Sequence, residues 1–165
     1  MNVNLINELS AEAARDAFHK CCGCDHWADA MTRARPYLDE AALNKQVQRA
    51  FSEMGREDWL QAFAAHPKIG DIESLRQKYA STKAWAQGEQ YGVNGANDEV
   101  LHGLAAGNAE YEKRYGHIFI VCATGKTAAE MLAILNSRLR NDIQTEFQNA
   151  AEEQLKITML RLEKL

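Results

Sequence analysis

Ile143-Gln144-Thr145-Glu146-Phe147-Gln148-Asn149-Ala150-Ala151-Glu152-Glu153-Gln154-Leu155-Lys156-Ile157-Thr158-Met159-Leu160-Arg161-Leu162 is the stretch that decides the fold class. Ile143, Phe147, Ala151, Leu155, Met159 and Leu162 recur at helical spacing and predict one buried stripe. Asn141, with Gln144 three residues on, is placed to cap this helix. Upstream, Thr127 to Glu130 fits a capping box, and Met131, Leu132, Leu135 and Leu139 continue the apolar face. Before that, Asn97 can cap a long helix through Val100, Leu101, Leu104, Asn108 and Tyr111, stopped by Gly116. Between these helices lies the one extended apolar run, His117 to Thr124, whose β-branched residues suit an extended chain.

The first half of the chain also reads as capped helices, with no convincing internal repeat. Ser10 can cap a helix from Ala11 to about Cys22, ended by Gly23. Asp25 can cap a short helix that stops before Pro36, and Asp39 the next, with Leu43, Val47, Ala50, Phe51 and Met54 on its apolar face. Trp59, Leu60 and Phe63 form a short apolar face that must end near His66, since Pro67 disfavours helical geometry in the residue before it. Asp71 to Tyr79 and Thr82 to Gln90 read as two further short helices, and Tyr91 to Asn97 as a loop. With 2 Pro and 10 Gly, and with helix formers dominating, the chain reads as all-α. We expect a single compact domain over residues 1–165, with about seven to nine helices and one short extended segment.

The 165 residues are 46% hydrophobic, enough to bury a core, and 25% charged. A net charge of -4 argues against a nucleic-acid binder, which needs a basic stripe to displace counterions from phosphates. No apolar run approaches the roughly 20 residues of a membrane span. Met1 to Ser10 lacks the pattern of a signal peptide, and Glu163-Lys164-Leu165 lacks the serine of a peroxisomal address. The expected location is cytoplasmic, with the four Cys as reduced thiols.

Several stretches carry chemistry. His66-Pro67-Lys68-Ile69-Gly70 holds an imidazole at a helix end on a sharply turned backbone. Such a group titrates near neutrality and can hold or pass a proton, although a surface His at a helix terminus reads the same way. Glu89-Gln90 places a carboxylate beside a carboxamide, suited to orienting a His and binding a urea-like group; the plainer reading is a solvated helix end. His19-Lys20-Cys21-Cys22-Gly23-Cys24-Asp25-His26 offers metal-type ligands, but they are too crowded to converge and no separated second pair exists, so we expect no metal. Gly125-Lys126-Thr127 opens a helix but lacks the glycine of a phosphate loop, since Ile120 stands there. Arg161 is suited to bidentate carboxylate binding, and Arg33, Arg35, Arg138 and Arg140 compete with it by local sequence.

Taken in order, Trp27 with Arg35-Pro36, His66 to Gly70, Glu89-Gln90, Asn108 to Tyr111 with Tyr115-Gly116, Phe119 to Ala123, Arg138-Leu139 and Arg161-Leu162 resemble the 2-oxo-4-hydroxy-4-carboxy-5-ureidoimidazoline (OHCU) decarboxylase family. The resemblance runs from about Leu5 to Leu165. It implies an all-α homodimer with no cofactor, acting in the last of three steps from urate to (S)-allantoin. By position it implies His66 as catalytic histidine and Glu89 as the carboxylate beside it. Pro67, Gln90 and the backbone of Phe119, Ile120, Val121, Cys122 and Ala123 would hold ring and ureido groups, and Arg161 the carboxylate. One departure is Ala86, where the family often has Ser. The rival readings are a non-catalytic helical binding or scaffold module, and a metal or redox protein built on the Cys21 to His26 cluster.

Overall fold

The computed structural model describes residues 1–68, 72–80 and 98–165, with the side chains of residues 78–80 left aside. Among these residues there are nine helices and no strand: α1 (Val3–Glu8), α2 (Ala11–Cys21), α3 (Asp25–Arg33), α4 (Glu40–Ser52), α5 (Arg56–Ala64), α6 (Ile72–Ala80), α7 (Asp98–Tyr115), α8 (Ala128–Arg138) and α9 (Ile143–Leu162). The chain divides into two compact units, Met1–His66 with Ala151–Leu165, and Pro67–Ala150. Part of α9 belongs to each.

Capping accounts for most helix starts. Ser10 accepts from the Ala13 amide at 3.1 Å and Asp39 from the Ala42 amide at 2.8 Å. Thr127 and Glu130 close the expected capping box at 3.1 and 2.9 Å. Two caps differ from expectation by one residue. Cys24, not Asp25, is the N-cap of α3, its Sγ accepting from the Trp27 amide at 3.5 Å. Asp142, not Asn141, accepts from the Thr145 amide at 2.7 Å. Both displaced residues have another partner: Asp25 meets Arg15 and Gln61, and Asn141 donates to Glu146. The short helix α1, capped by Asn2, was not among the expected elements.

In the first unit, α2 to α5 bury an aromatic row. Phe18 meets Trp27 edge-on at 6.0 Å, Trp27 stacks on Phe51 at 5.4 Å, Phe51 on Trp59 at 5.2 Å, and Trp59 tilts against Phe63 at 6.1 Å. Such pairs add directional packing to the burial of large apolar rings. Trp27 is fully buried in the core, and Trp59, half-buried, packs against it. Arg35 also serves the fold, donating to the carbonyls of Ile6 and Leu9 near the end of α1. Gly23 lets two backbones meet: a Cβ there would fall 2.3 Å from that of Ala65, the residue before His66.

In the second unit, α6, α7 and α8 bury Leu75, Leu101, Leu104, Tyr111, Tyr115, Met131 and Leu135. Gly116 ends α7 in the left-handed region (φ 78°), donating to the Glu112 carbonyl at 2.9 Å. The run 117–124 forms neither helix nor strand. The helix expected over Asp71 to Tyr79 is present as α6, whereas that over Thr82 to Gln90 and the loop from Tyr91 lie outside the described residues.

Candidate active site

The expected stripe on α9 is rotated by one position. Its most buried line is Glu146, Ala150, Gln154, Thr158 and Leu162, and the first four side chains are all 0% exposed. Ile143 is 57% exposed, while Phe147, Ala151, Leu155 and Met159 are half-buried beside that line. A count of apolar residues cannot find a line whose members are mostly polar. Burying such groups is tolerated because each is hydrogen-bonded.

The lower part of this line reaches His66. The imidazole sits in the turn that ends α5, with its amide on the Phe63 carbonyl at 3.2 Å. Its Nε2 lies 2.6 Å from Oε1 of Gln154. The Gln154 amide nitrogen donates to the Thr158 hydroxyl at 3.2 Å, and that hydroxyl donates to the Gln154 carbonyl at 2.8 Å. The Cys22 thiol also bonds to Thr158, and burial pushes this thiol up to about 12. His66 is therefore held by a dry polar network within one compact unit.

The upper part fixes the segment Phe119 to Ala123. Arg138 is 7% exposed and forms a buried ion pair with Glu146. Its Nη1 donates to the Ile120 carbonyl at 2.5 Å, and its guanidinium stands 4.7 Å from the Phe119 ring centroid. Tyr111 donates to Glu146 at 2.6 Å, and its phenol is pushed well above the usual range, first by burial and then by that carboxylate. Asn141 and Asn149 occupy the second Glu146 oxygen at 3.0 and 3.2 Å. Lys126 donates from Nζ to the Cys122 carbonyl at 2.8 Å. In a planar trans peptide the N–H points opposite to the C=O. Fixing the carbonyls of Ile120 and Cys122 therefore fixes where the amides of Val121 and Ala123 aim.

A cavity of about 480 Å³ opens in the second unit. Pro67, Lys68, Asn108, Glu112, Ile118 and Phe119 are among its walls, and Lys68 pairs with Glu112 at 3.0 Å. Two expected substrate residues, Pro67 and Phe119, thus share one cavity. Ile120 and Cys122 are buried, and Val121 and Ala123 half-buried. Glu89 and Gln90, with Ala86, lie outside the described residues. Arg161 is half-buried and donates to the carbonyls of Lys20 and Cys21 at 3.4 and 3.3 Å, a cation at the carbonyl end of α2.

Sequence reasoning did not single out Gln154, Thr158 or Glu146; by local sequence it left Arg138 level with four other arginines, and the resemblance that included Arg138-Leu139 gave it no role. Cys21, Cys22 and Cys24 are buried free thiols, and burial raises all three above the usual thiol range. Among the described residues no group of three or more His, Cys, Asp or Glu is arranged for a metal, and no helix is long and apolar enough to cross a membrane.

Among the described residues a buried polar network holds one imidazole in the first unit, and in the second a backbone segment is pinned at two carbonyls. The chain belongs to the OHCU decarboxylase family, whose model matches residues 7–163. The chain is 36% identical over 95% of its length to the uric acid degradation bifunctional protein TTL of Arabidopsis thaliana, covering 48% of that protein. It is 26% identical to the 2-oxo-4-hydroxy-4-carboxy-5-ureidoimidazoline decarboxylase of Haloferax volcanii, covering 98% of this chain and 94% of the relative. A crystal structure of OHCU decarboxylase in the presence of (S)-allantoin superposes with a TM-score of 0.71 at 36% identity, over 90% of this chain and 96% of that one. The chain thus spans about half the length of the Arabidopsis relative and nearly all of the Haloferax one.

Proposed function

We propose that this chain is a cofactor-independent carboxy-lyase that converts OHCU to (S)-allantoin, the third step of urate degradation in purine catabolism. The observation that carries the reading is the imidazole of His66, held at 2.6 Å by a fully buried Gln154 in a chain that matches the family over residues 7–163. The family match runs through both compact units, which supports treating residues 1–165 as one functional domain.

The substrate carries its own electron sink. A ring C=N bond adjoins the carbon bearing the hydroxyl and carboxylate. When the carbon–carboxylate bond breaks, its electron pair forms a C=C bond, the C=N pair moves to nitrogen, and that nitrogen takes a proton. Carbon dioxide leaves. Ketonisation then moves a proton from the 4-hydroxyl to the neighbouring carbon, and delivery to one face gives one enantiomer. A sink within the substrate leaves no step for an organic cofactor to perform.

His66 and Glu89 are the proposed catalytic pair, His66 managing the hydroxyl proton and Glu89 fixing its orientation and charge. Pro67, Gln90 and the segment Phe119, Ile120, Val121, Cys122, Ala123 hold the ring and ureido groups, with the fixed amides available to a developing oxyanion. Arg161 positions the carboxylate; gripping it more firmly in the ground state than in the transition state would slow the step. We further propose a homodimer in the cytoplasm. The four free cysteines support a reducing compartment, and light scattering of the purified chain tests the dimer.

The test of the reaction is circular dichroism during urate breakdown, with the substrate generated in place by urate oxidase and 5-hydroxyisourate hydrolase. Rapid growth of the (S)-allantoin signal supports the reading. Racemic allantoin at the spontaneous rate removes it and leaves the binding-module reading in its place.

A further inference from the structure

Hydrogen-bond arithmetic around Gln154 assigns the protons of His66. A carboxamide has a donating end and an accepting end, so its neighbours decide which way it faces. Thr158 has one hydroxyl proton, and the Gln154 backbone carbonyl takes it at 2.8 Å. The hydroxyl oxygen is then an acceptor, and the group 3.2 Å away on Gln154 must be the NH₂ end. The other neighbour, the Cys22 thiol, is a second hydrogen-bond partner of that hydroxyl, and a proton given to either the thiol or the carbonyl is not available to the Gln154 side chain. The carbonyl end of Gln154 therefore faces His66, and at 2.6 Å it can only accept. Gln154 and Thr158 are both fully buried, so no water competes for these positions.

From this chain of bonds we propose that Gln154, backed by Thr158, is a positioning residue that locks neutral His66 as the Nε2–H tautomer and makes Nδ1 the nitrogen that gains and loses a proton. The enzymatic consequence rests on the function proposed above: the substrate proton enters and leaves the imidazole at Nδ1. A fixed tautomer matters because the wrong one presents a donor where an acceptor is needed.

Nitrogen NMR of protein labelled at histidine reads the tautomer without reference to activity, with His66→Ala identifying the resonances. The expected wild-type spectrum, above the histidine's titration, shows Nε2 as protonated and Nδ1 as bare. Gln154→Met is expected to average the two nitrogens and lower kcat towards the about 10²–10⁴-fold contribution of an acid–base group, with KM little changed. Gln154→Glu, which still accepts, is expected to restore the Nε2–H signature. Should Gln154→Met not fold, Thr158→Val frees the amide to flip and is expected to give the same averaging. A bare Nε2 in the wild type overturns the assignment, as does an unchanged tautomer in both Gln154→Met and Thr158→Val. Averaged nitrogens with undiminished kcat overturn the catalytic consequence. A chain that shows the locked tautomer but forms no (S)-allantoin overturns the proposed function and leaves the tautomer assignment standing.

Discussion

Arg138 and Glu146 form an ion pair in which the arginine is 7% exposed and the glutamate fully buried. The pair is surrounded by partners: Tyr111 and Asn141 on the carboxylate, and the Ile120 carbonyl on the guanidinium. Breaking such a pair leaves one uncompensated buried charge, which costs about 3–5 kcal/mol. Glu146→Ala is expected to lose stability in that range, measured by urea unfolding. Arg138→Met removes the charge as well as the Ile120 contact, and is expected to weaken substrate binding in the folded fraction. Loss of stability below about 1 kcal/mol in Glu146→Ala would show that the pair is not buried as described.

How much of this was legible beforehand can be argued from α9. Its existence and extent follow from the helical spacing of Ile143, Phe147, Ala151, Leu155, Met159 and Leu162 with no Gly or Pro between them, and the capping box at Thr127 follows from two residues. The buried face did not follow, because Glu146, Gln154 and Thr158 read as solvent-facing by residue type. Their burial is made tolerable by partners that residue type does not reveal: Tyr111 and His66 from far along the chain, and Arg138, Asn141, Asn149 and the Gln154–Thr158 bonds from nearby. Arg138 was indistinguishable from Arg140 for the same reason. His66 stood out from its own stretch, as an imidazole at a turned helix end, and the segment Phe119 to Ala123 gained its role through resemblance; the contacts that position them were not legible.

Gly23 makes a second expectation. A Cβ there meets Ala65 at 2.3 Å, and Ala65 carries the backbone into His66. Gly23→Val is expected to destabilise by about 1–3 kcal/mol, as overpacking does, and to lower activity by shifting the histidine. Thermal unfolding and a steady-state assay check both effects. A variant of wild-type stability and rate would contradict the close approach.

The buried thiols give a pH dependence. Cys21 is raised from 9.0 to about 11 and Cys22 from 9.0 to about 12, burial being the main cause in each. Raised folded-state values mean that the unfolded chain ionises first. Stability is then full below pH 9 and declines as pH rises through the window from 9 towards 11 and 12. Replacing Cys22 with Ala should flatten this alkaline decline. The native thiols should also resist alkylation at pH 8 until the protein is unfolded. Rapid native labelling of Cys22 would contradict its burial.

Asp58 gives the opposite sign. Its carboxyl is held below 3.8, first by the hydrogen bond from His26 and then by the Gly55 amide. Its contribution is present above the unfolded value and fades as pH falls through the lower folded one. Asp58→Asn should therefore be destabilised at neutral pH and match the wild type in strong acid. Equal stability of the two at pH 7 would show that the pair with His26 contributes nothing.

The most direct test of the account is the rate of (S)-allantoin formation by wild type and His66→Ala, followed by circular dichroism with the substrate generated in place. Wild type should produce the (S)-allantoin signal far faster than the spontaneous reaction, and His66→Ala should lose about 10²–10⁴-fold of that rate while remaining folded. A His66→Ala protein of undiminished rate would contradict the central role given to this imidazole.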